Sequence, residues 1–163
     1  MTLPTPIRPL IRAVILLAAL TACGPPHTQN PDENDIWAVL TQFQAAKNNR
    51  DLHALLPLLH PGGEFSFACG VRVSKTELAR KLPGFWAELD RRKLGLVPLS
   101  HECLNGDYYP SGQLKDPVIA ISGNEAMARV WFTKRLWSSL LLFVSLEKEA
   151  AGWRITRTEW GPS

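Results

Sequence analysis

The sequence predicts an α+β domain, with its helices first and an antiparallel sheet after them. Two observations carry this. Apolar residues recur at helical spacing from residue 34 to about residue 90, and from Pro117 to Trp160 they alternate in runs separated by Gly-containing turns. A block of helices followed by a block of strands, without strand–helix alternation, belongs to the α+β class.

Ahead of that domain the chain changes character twice. Arg8 and Arg12 are the only charged side chains before Asp32, and they precede the apolar run Ala13 to Leu20. A basic start and a short apolar run have the form of a secretory signal, and the run is shorter than the roughly 20 residues a membrane-spanning helix needs. "LTAC", Leu20 to Cys23, resembles the bacterial lipobox: an aliphatic residue, two small residues and a cysteine. The resemblance implies lipidation of the Cys23 thiol, cleavage before it and acylation (palmitate or a similar chain) of the new amino group. Two or more acyl chains give stable anchoring. Gly24 stands where the retention rule of the inner membrane would want Asp, so the resemblance implies the outer membrane, facing the periplasm. "CGPPHTQNPDEN" is polar, holds three prolines and has no apolar period, so it reads as a tether with a solvated His27. The expected organisation is therefore signal peptide 1–22, tether 23–33 from lipidated Cys23, and domain 34–163.

Within the domain, "NDIWAVLTQFQAAKNN" places Ile36, Val39, Leu40, Phe43 and Ala46 on one helical face, with Asn34 or Asp32 able to cap it. "NRDLHALLPLLHPGGEF" predicts a second helix from about Asp51, with Leu52, Leu55, Leu56 and Leu59 inward and Pro61-Gly62-Gly63 as its stop. His53 and His60, seven apart, would share a face of it, with His60 at its end. "EFSFAC" and "GVRVS" alternate as a short hairpin. In "SKTE", Ser74 and Glu77 form a capping box that opens a third helix through Leu78, Leu82, Phe85, Trp86 and Leu89, bent at Pro83-Gly84. Residues 95 to 116 begin extended and become a loop rich in turn formers. "PVIAIS" meets "NEAMARVWFTKRL" through Gly123-Asn124, and "LLLFVSLEKE" meets "WRITRTEW" through Ala151-Gly152. Ala126, Ala128, Val130 and Phe132 share one strand face, and Met127, Arg129, Trp131 and Thr133 the other. Both faces carry apolar groups, so one covers helices and the other lines a concavity or a second layer.

Charge excludes one class of function. The chain carries +3, but without Arg8 and Arg12 sixteen basic residues face fifteen acidic ones, with no basic run interleaved with aromatics. Nucleic acid is not an expected partner. Cys69 and Cys103 are an even pair in an exported chain, a candidate disulfide; two separate buried thiols are the alternative. No metal-ligand spacing joins them to His101, and no metal or cofactor is expected.

Two groups of residues are candidates for function. Ser100, His101, Glu102, Asp107, Tyr108 and Tyr109 cluster in sequence. A His beside carboxylates can act as a general base and a Tyr hydroxyl can hold an oxyanion, although "NGDYYPSG" equally reads as a surface loop. Of the six Trp, Trp37, Trp86 and Trp153 fit core positions. Trp131, Trp137 and Trp160, with Tyr109, are the candidate ligand or partner surface.

The order helix, helix, short hairpin, helix and closing strands resembles the nuclear transport factor 2-like superfamily (SnoaL-like, cystatin-like). "VLTQFQAAKNNRDLHALLPLLHPGGEF", "GNEAMARVWF" and "EAAGWRITRTEW" carry the resemblance over residues 34 to 160. It implies a bent antiparallel sheet wrapped around helices into a cone with a pocket at its open end, and it admits a homodimer through the sheet face. Catalytic residues do not carry over. The first helix offers Phe43 and Trp37 where a ketosteroid isomerase has Tyr, and the strands offer Ala, Val and Trp in place of a base. The expectation is a membrane-anchored, non-catalytic envelope lipoprotein binding a small apolar ligand or an envelope protein. The alternatives are a hydrolase, isomerase or dehydratase using His101 with Asp107 or Glu102, and a structural component of an envelope or secretion assembly.

Overall fold

The structure, a computed structural model, describes residues 30–67, 71–93, 112–134 and 138–160. Helix α1 (Pro31–Asn49) opens on Asn30, whose side chain accepts from the Asp32 amide, with Pro31 in the first turn. Proline is tolerated there because its missing N–H would be unpaired anyway. The cap thus falls ahead of both residues the sequence suggested. Arg50 closes the helix in the left-handed conformation (φ 56°), its N–H returning to the carbonyls of Ala46 and Lys47.

The second helix is shorter than expected. α2 covers only Leu52–Leu55, capped by Asp51, and a 3₁₀ turn follows over Leu56–Leu58. Pro57 cannot donate to an α-helical ladder, and the chain then extends into β1 (Leu59–Ser66) straight through Pro61-Gly62-Gly63. Leu59 is still fully buried, but as a strand residue. β1 pairs antiparallel with β2 (Arg72–Ser74), the expected hairpin. α3 (Lys75–Lys93) follows directly, and the capping box forms: Glu77 Oε2 accepts from the Ser74 amide at 3.1 Å and Ser74 Oγ accepts from the Glu77 amide at 3.3 Å.

β3 (Gln113–Ser122), β4 (Glu125–Lys134), β5 (Ser138–Glu149) and β6 (Gly152–Trp160) form an antiparallel meander. Its turns fall where the sequence placed them, on Gly123 (φ 61°) and Gly152 (φ 112°). The six strands lie in the order β2-β1-β6-β5-β4-β3. The sheet is mixed rather than purely antiparallel, because β1 runs parallel to β6. Register shifts at Lys115/Val118, Ser145/Leu146 and Leu59/Glu64 interrupt the ladders, and such bulges bend a sheet.

One face of this bent sheet packs on the helices. Ile36, Leu40 and Phe43 from α1 meet Ala128, Val130, Leu142, Val144 and Ile155, with Leu78, Leu82 and Trp86 from α3 completing the core. The buried polar pair Ser66 and Thr158 is mutually satisfied: the Ser66 amide donates to Thr158 Oγ1 at 3.2 Å, and Ser66 Oγ donates to the Thr158 carbonyl at 3.0 Å.

The start of α1 is fastened to the β5–β6 hairpin. Asp32 accepts from Lys148 Nζ and, at 3.2 Å, from the Trp153 indole N–H. These two hydrogen bonds hold the Asp32 carboxyl below its ordinary value. A carboxylate whose pKa is depressed by folding stabilises above the unfolded pKa, and that contribution is lost as pH falls through the folded value. Asp32→Asn should therefore lower the urea midpoint at pH 7. The difference from wild type should begin to shrink below the ordinary carboxylate pKa of about 4 and vanish below the depressed folded value. A difference that does not shrink as the pH falls would assign the loss to geometry instead of charge.

Candidate functional site

α1 directs two more residues inward than its apolar pattern suggests, Gln44 and Lys47. Lys47 lies four residues beyond Phe43 and seven beyond Leu40, so it continues the buried stripe. It is fully buried. Its Nζ stands 4.9 Å from the centre of the Phe43 ring and 5.4 Å from that of Phe132, and donates to Gln44 Oε1 at 3.3 Å. A cation over ring faces gains electrostatic attraction, more so when desolvated.

The surroundings of Lys47 tie α1 to the sheet. Gln44 Nε2 donates to Asn48 Oδ1 at 2.8 Å and to the Gly112 carbonyl at 3.4 Å, and Asn48 Nδ2 reaches the same carbonyl at 3.0 Å. Phe132 also forms an edge-type pair with Trp160, with ring centres 5.6 Å apart and planes at 66°. Trp160 packs against the core from the inward face of β6, and its buried Nε1 has no hydrogen-bond partner. The last turn of α1, the end of β4 and the end of β6 thus bring an ammonium, a primary amide, three aromatic rings and an indole N–H to one end of the sheet.

A second group of titratable residues holds strands together. Glu149 lies between His60 Nε2 at 3.4 Å and Arg154 Nε at 2.7 Å. The Gly62 amide donates to His60 Nδ1 at 3.1 Å, which leaves the ring proton on Nε2, facing the carboxylate. Arg154 also donates to the Pro57 carbonyl, and Lys75 to the Leu59 carbonyl at 2.8 Å. Burial pushes the Lys75 ammonium below its ordinary pKa, and the Arg154 charge adds to this. The carbonyl contacts staple the 3₁₀ turn and the start of β1 to β6 and α3. His53 and His60 do not share a helical face: His53 is exposed on α2 and His60 sits on β1.

The sequence-predicted surface divides between the two faces of the sheet. Trp131 is 44% exposed on the outer face, with Met127 at 56% and Val118 at 55%. Trp131 pairs with Lys115 and Leu141, and Arg129 with Val118 and Phe143. Trp160 instead faces the helices. Trp137 and Tyr109 lie outside the described residues, as do Ser100, His101, Glu102, Asp107, Tyr108, Cys23, Cys69 and Cys103. Among the described residues, no group of three or more His, Cys, Asp or Glu is placed to hold a metal. Nor is any helix among them long and apolar enough to cross a membrane. A cleft of about 580 Å³ lies at the β3–β4 turn, lined by Ser122, Met127, Ser145, Glu147 and Thr156 among others. It shares no residue with the surroundings of Lys47.

No protein-family model matches the chain, and no curated protein matches its sequence. Solved structures do match its fold. A nuclear transport factor 2-like protein from Cytophaga hutchinsonii superposes with a TM-score of 0.57 at 14% identity, covering 84% of this chain and 100% of that one. A protein of unknown function with a cystatin-like fold from Nostoc punctiforme gives 0.56 at 17% identity, covering 81% and 92%. A Shewanella frigidimarina protein, provisionally named a ketosteroid isomerase, gives 0.55 at 20% identity, covering 78% and 94%. The fold is therefore that of the nuclear transport factor 2-like, cystatin-like α+β proteins, and identities this low carry the fold alone.

Proposed function

We propose that this chain is a lipid-anchored protein of the bacterial envelope whose domain binds a small, mainly apolar ligand without transforming it. The observation that carries the ligand reading is the cluster at the end of α1: the rings of Phe43, Phe132 and Trp160 around the polar groups of Gln44 and Lys47. Ligand sites commonly combine apolar walls with a few convergent polar groups. The inward residues of β4 and β5 favour binding over chemistry. Ala126, Ala128, Val130, Phe132, Leu142, Val144 and Leu146 offer no acid, base or nucleophile. The enzyme alternative rests on His101 with Asp107 or Glu102.

Anchoring rests on "LTAC" and on the basic, apolar segment before it, and Gly24 after the cysteine favours the outer membrane. The placement of α1 suits such an anchor. Its N-terminus is pinned to the β5–β6 hairpin through Asp32, while Lys47 lies almost a whole helix length away, about 28 Å for 19 residues. Residues 31–33, expected in the tether, form the first turn of α1, so a tether ending at Asn30 would enter at the end opposite the aromatic cluster.

Mass spectrometry of the full chain, expressed in a bacterium and recovered from membranes, tests both halves. The expected polypeptide begins at Cys23 and carries diacylglycerol and an amide-linked acyl chain, and Cys23→Ser abolishes processing. An unmodified Cys23 would overturn the anchor. In the same spectrum a deficit of two hydrogens would report a Cys69–Cys103 disulfide. A small molecule that leaves on denaturation would identify the ligand. A second reading, a protein partner on the outer sheet face, is favoured by the exposure of Val118, Met127 and Trp131.

A further inference from the structure

We infer that the cleft at the β3–β4 turn is a second ligand site, independent of the cluster at the end of α1, and that it takes a small amine with an ammonium head on an apolar body. The cleft holds about 580 Å³, within the range of about 300–1,000 Å³ typical of small-molecule sites. Its shape follows from strand register. Ala120 on β3 lies opposite Met127 on β4, and Met127 lies opposite Ser145 on β5. This row of the outer sheet face sets two short side chains around one flexible apolar one. The short side chains leave a depression, and Met127, 56% exposed, supplies an adaptable apolar wall.

The next row, nearer the turn, decides the charge. There Ser122 lies opposite Glu125, and Glu125 opposite Glu147. Like charges directly opposite one another destabilise a sheet, and both carboxylates line the cleft. Among the described residues, neither side chain takes a hydrogen bond or an ion pair. The neighbouring cations are engaged or stand outside the cleft. Lys148, next to Glu147 in the chain, reaches across to Asp32 on α1. Arg154, opposite Glu147 in register, turns to Glu149 and to the Pro57 carbonyl. Arg129 lies beyond Met127, between Val118 and Phe143, and is not part of the lining. The two carboxylates accept only, and the hydroxyls of Ser122 and Ser145 can accept as well. An ammonium brings three donors and the missing charge, in charge-assisted bonds. A neutral ligand would leave two like charges facing each other, and an acid would add a third. The charge of the lining therefore selects a cation, and the volume of the cleft selects a small molecule.

The test uses the full chain in nanodiscs, its methionine methyl groups labelled with carbon-13. Met127 is the only methionine besides Met1, so its methyl resonance, assigned by Met127→Leu, reports on the cleft alone. Benzylamine and n-alkylamines of four to eight carbons are titrated beside the alcohols and carboxylates of equal length. The expected result is a saturable shift of the Met127 resonance by at least one amine, with affinity about tenfold above the matching alcohol and no response to the carboxylate. Glu125 and Glu147 are exposed, so Glu125→Gln and Glu147→Gln should leave the fold intact. Each should weaken amine binding several-fold and leave alcohol binding unchanged, and the double variant should erase the preference for amine. Amines and alcohols bound equally, or an amine preference that survives both substitutions together, would overturn the cationic ligand. A Met127 resonance that no probe moves would overturn the site itself, without bearing on the cluster at the end of α1.

Discussion

Gly63→Ala is expected to destabilise the domain by about 1–3 kcal/mol, at the upper end of that range, read as a lower urea midpoint with an unchanged slope. A Cβ at position 63 would stand 2.5 Å from Phe65 Cζ and 2.7 Å from the Thr156 carbonyl oxygen, and 3.2 Å from that of His60. The Phe65 ring is fully buried and cannot swing away. The Thr156 carbonyl belongs to β6, the parallel partner of β1 at the register shift between Leu59 and Glu64. Relief would require the two strands to separate where the hairpin joins the meander. Glycine serves here because another backbone approaches closely. Gly84→Ala is the control: nothing lies within 4 Å of a Cβ there, so inside α3 it should be neutral or stabilising. Equal effects at the two positions would show that β1 relaxes freely against β6.

That glycine also marks where reading the sequence falls short. The spacing of Leu52, Leu55, Leu56 and Leu59 fits one helix, and Pro61-Gly62-Gly63 then looks like its stop. The structure ends the helix at Leu55 because Pro57 interrupts the ladder, and it turns Leu59, Gly63 and Phe65 into the buried positions of a strand. A short apolar run does not distinguish the two periods. Parallel pairing of β1 with β6 was beyond reach for another reason: it joins residues more than ninety positions apart, as Phe65 and Thr158 do, and no local signal names a strand's distant partner. The meander was legible because its turns and alternation are local, and α3 because Ser74 and Glu77 announce its start.

The candidate site was only partly legible. Phe43 followed from periodicity, but Lys47 did not, because lysine is almost always exposed. Its place in the stripe of Leu40 and Phe43 was the available signal: a charge where the helical face demands an apolar group. Trp160 and Trp131 were visible as aromatic residues of late strands. Trp131 takes the outer face by plain alternation along β4, whereas the face of Trp160 depends on the shift in β5–β6 register between Ser145 and Leu146, since a one-residue shift reverses every side chain after it. Buried polar departures from a pattern therefore point to the site better than the pattern itself.

Phe43→Ala should have the largest effect of any single change at this site, about 3–5 kcal/mol, measured by chemical denaturation. The ring is fully buried, and its removal opens a cavity between α1 and the sheet while withdrawing one of the faces that hold the Lys47 ammonium. Two controls separate these effects. Phe43→Leu keeps most of the volume, so its cost combines a smaller cavity with the lost cation–ring attraction, about 0.5–2 kcal/mol. In the Lys47→Met background the cavity remains but the attraction is gone, so Phe43→Leu should cost measurably less there than in wild type. A coupling energy between positions 43 and 47 of the order of 1 kcal/mol is the expected outcome of that cycle. If instead Phe43→Ala costs under about 1 kcal/mol, far below the range for a buried ring, the end of α1 is a cleft that water fills and not part of the core.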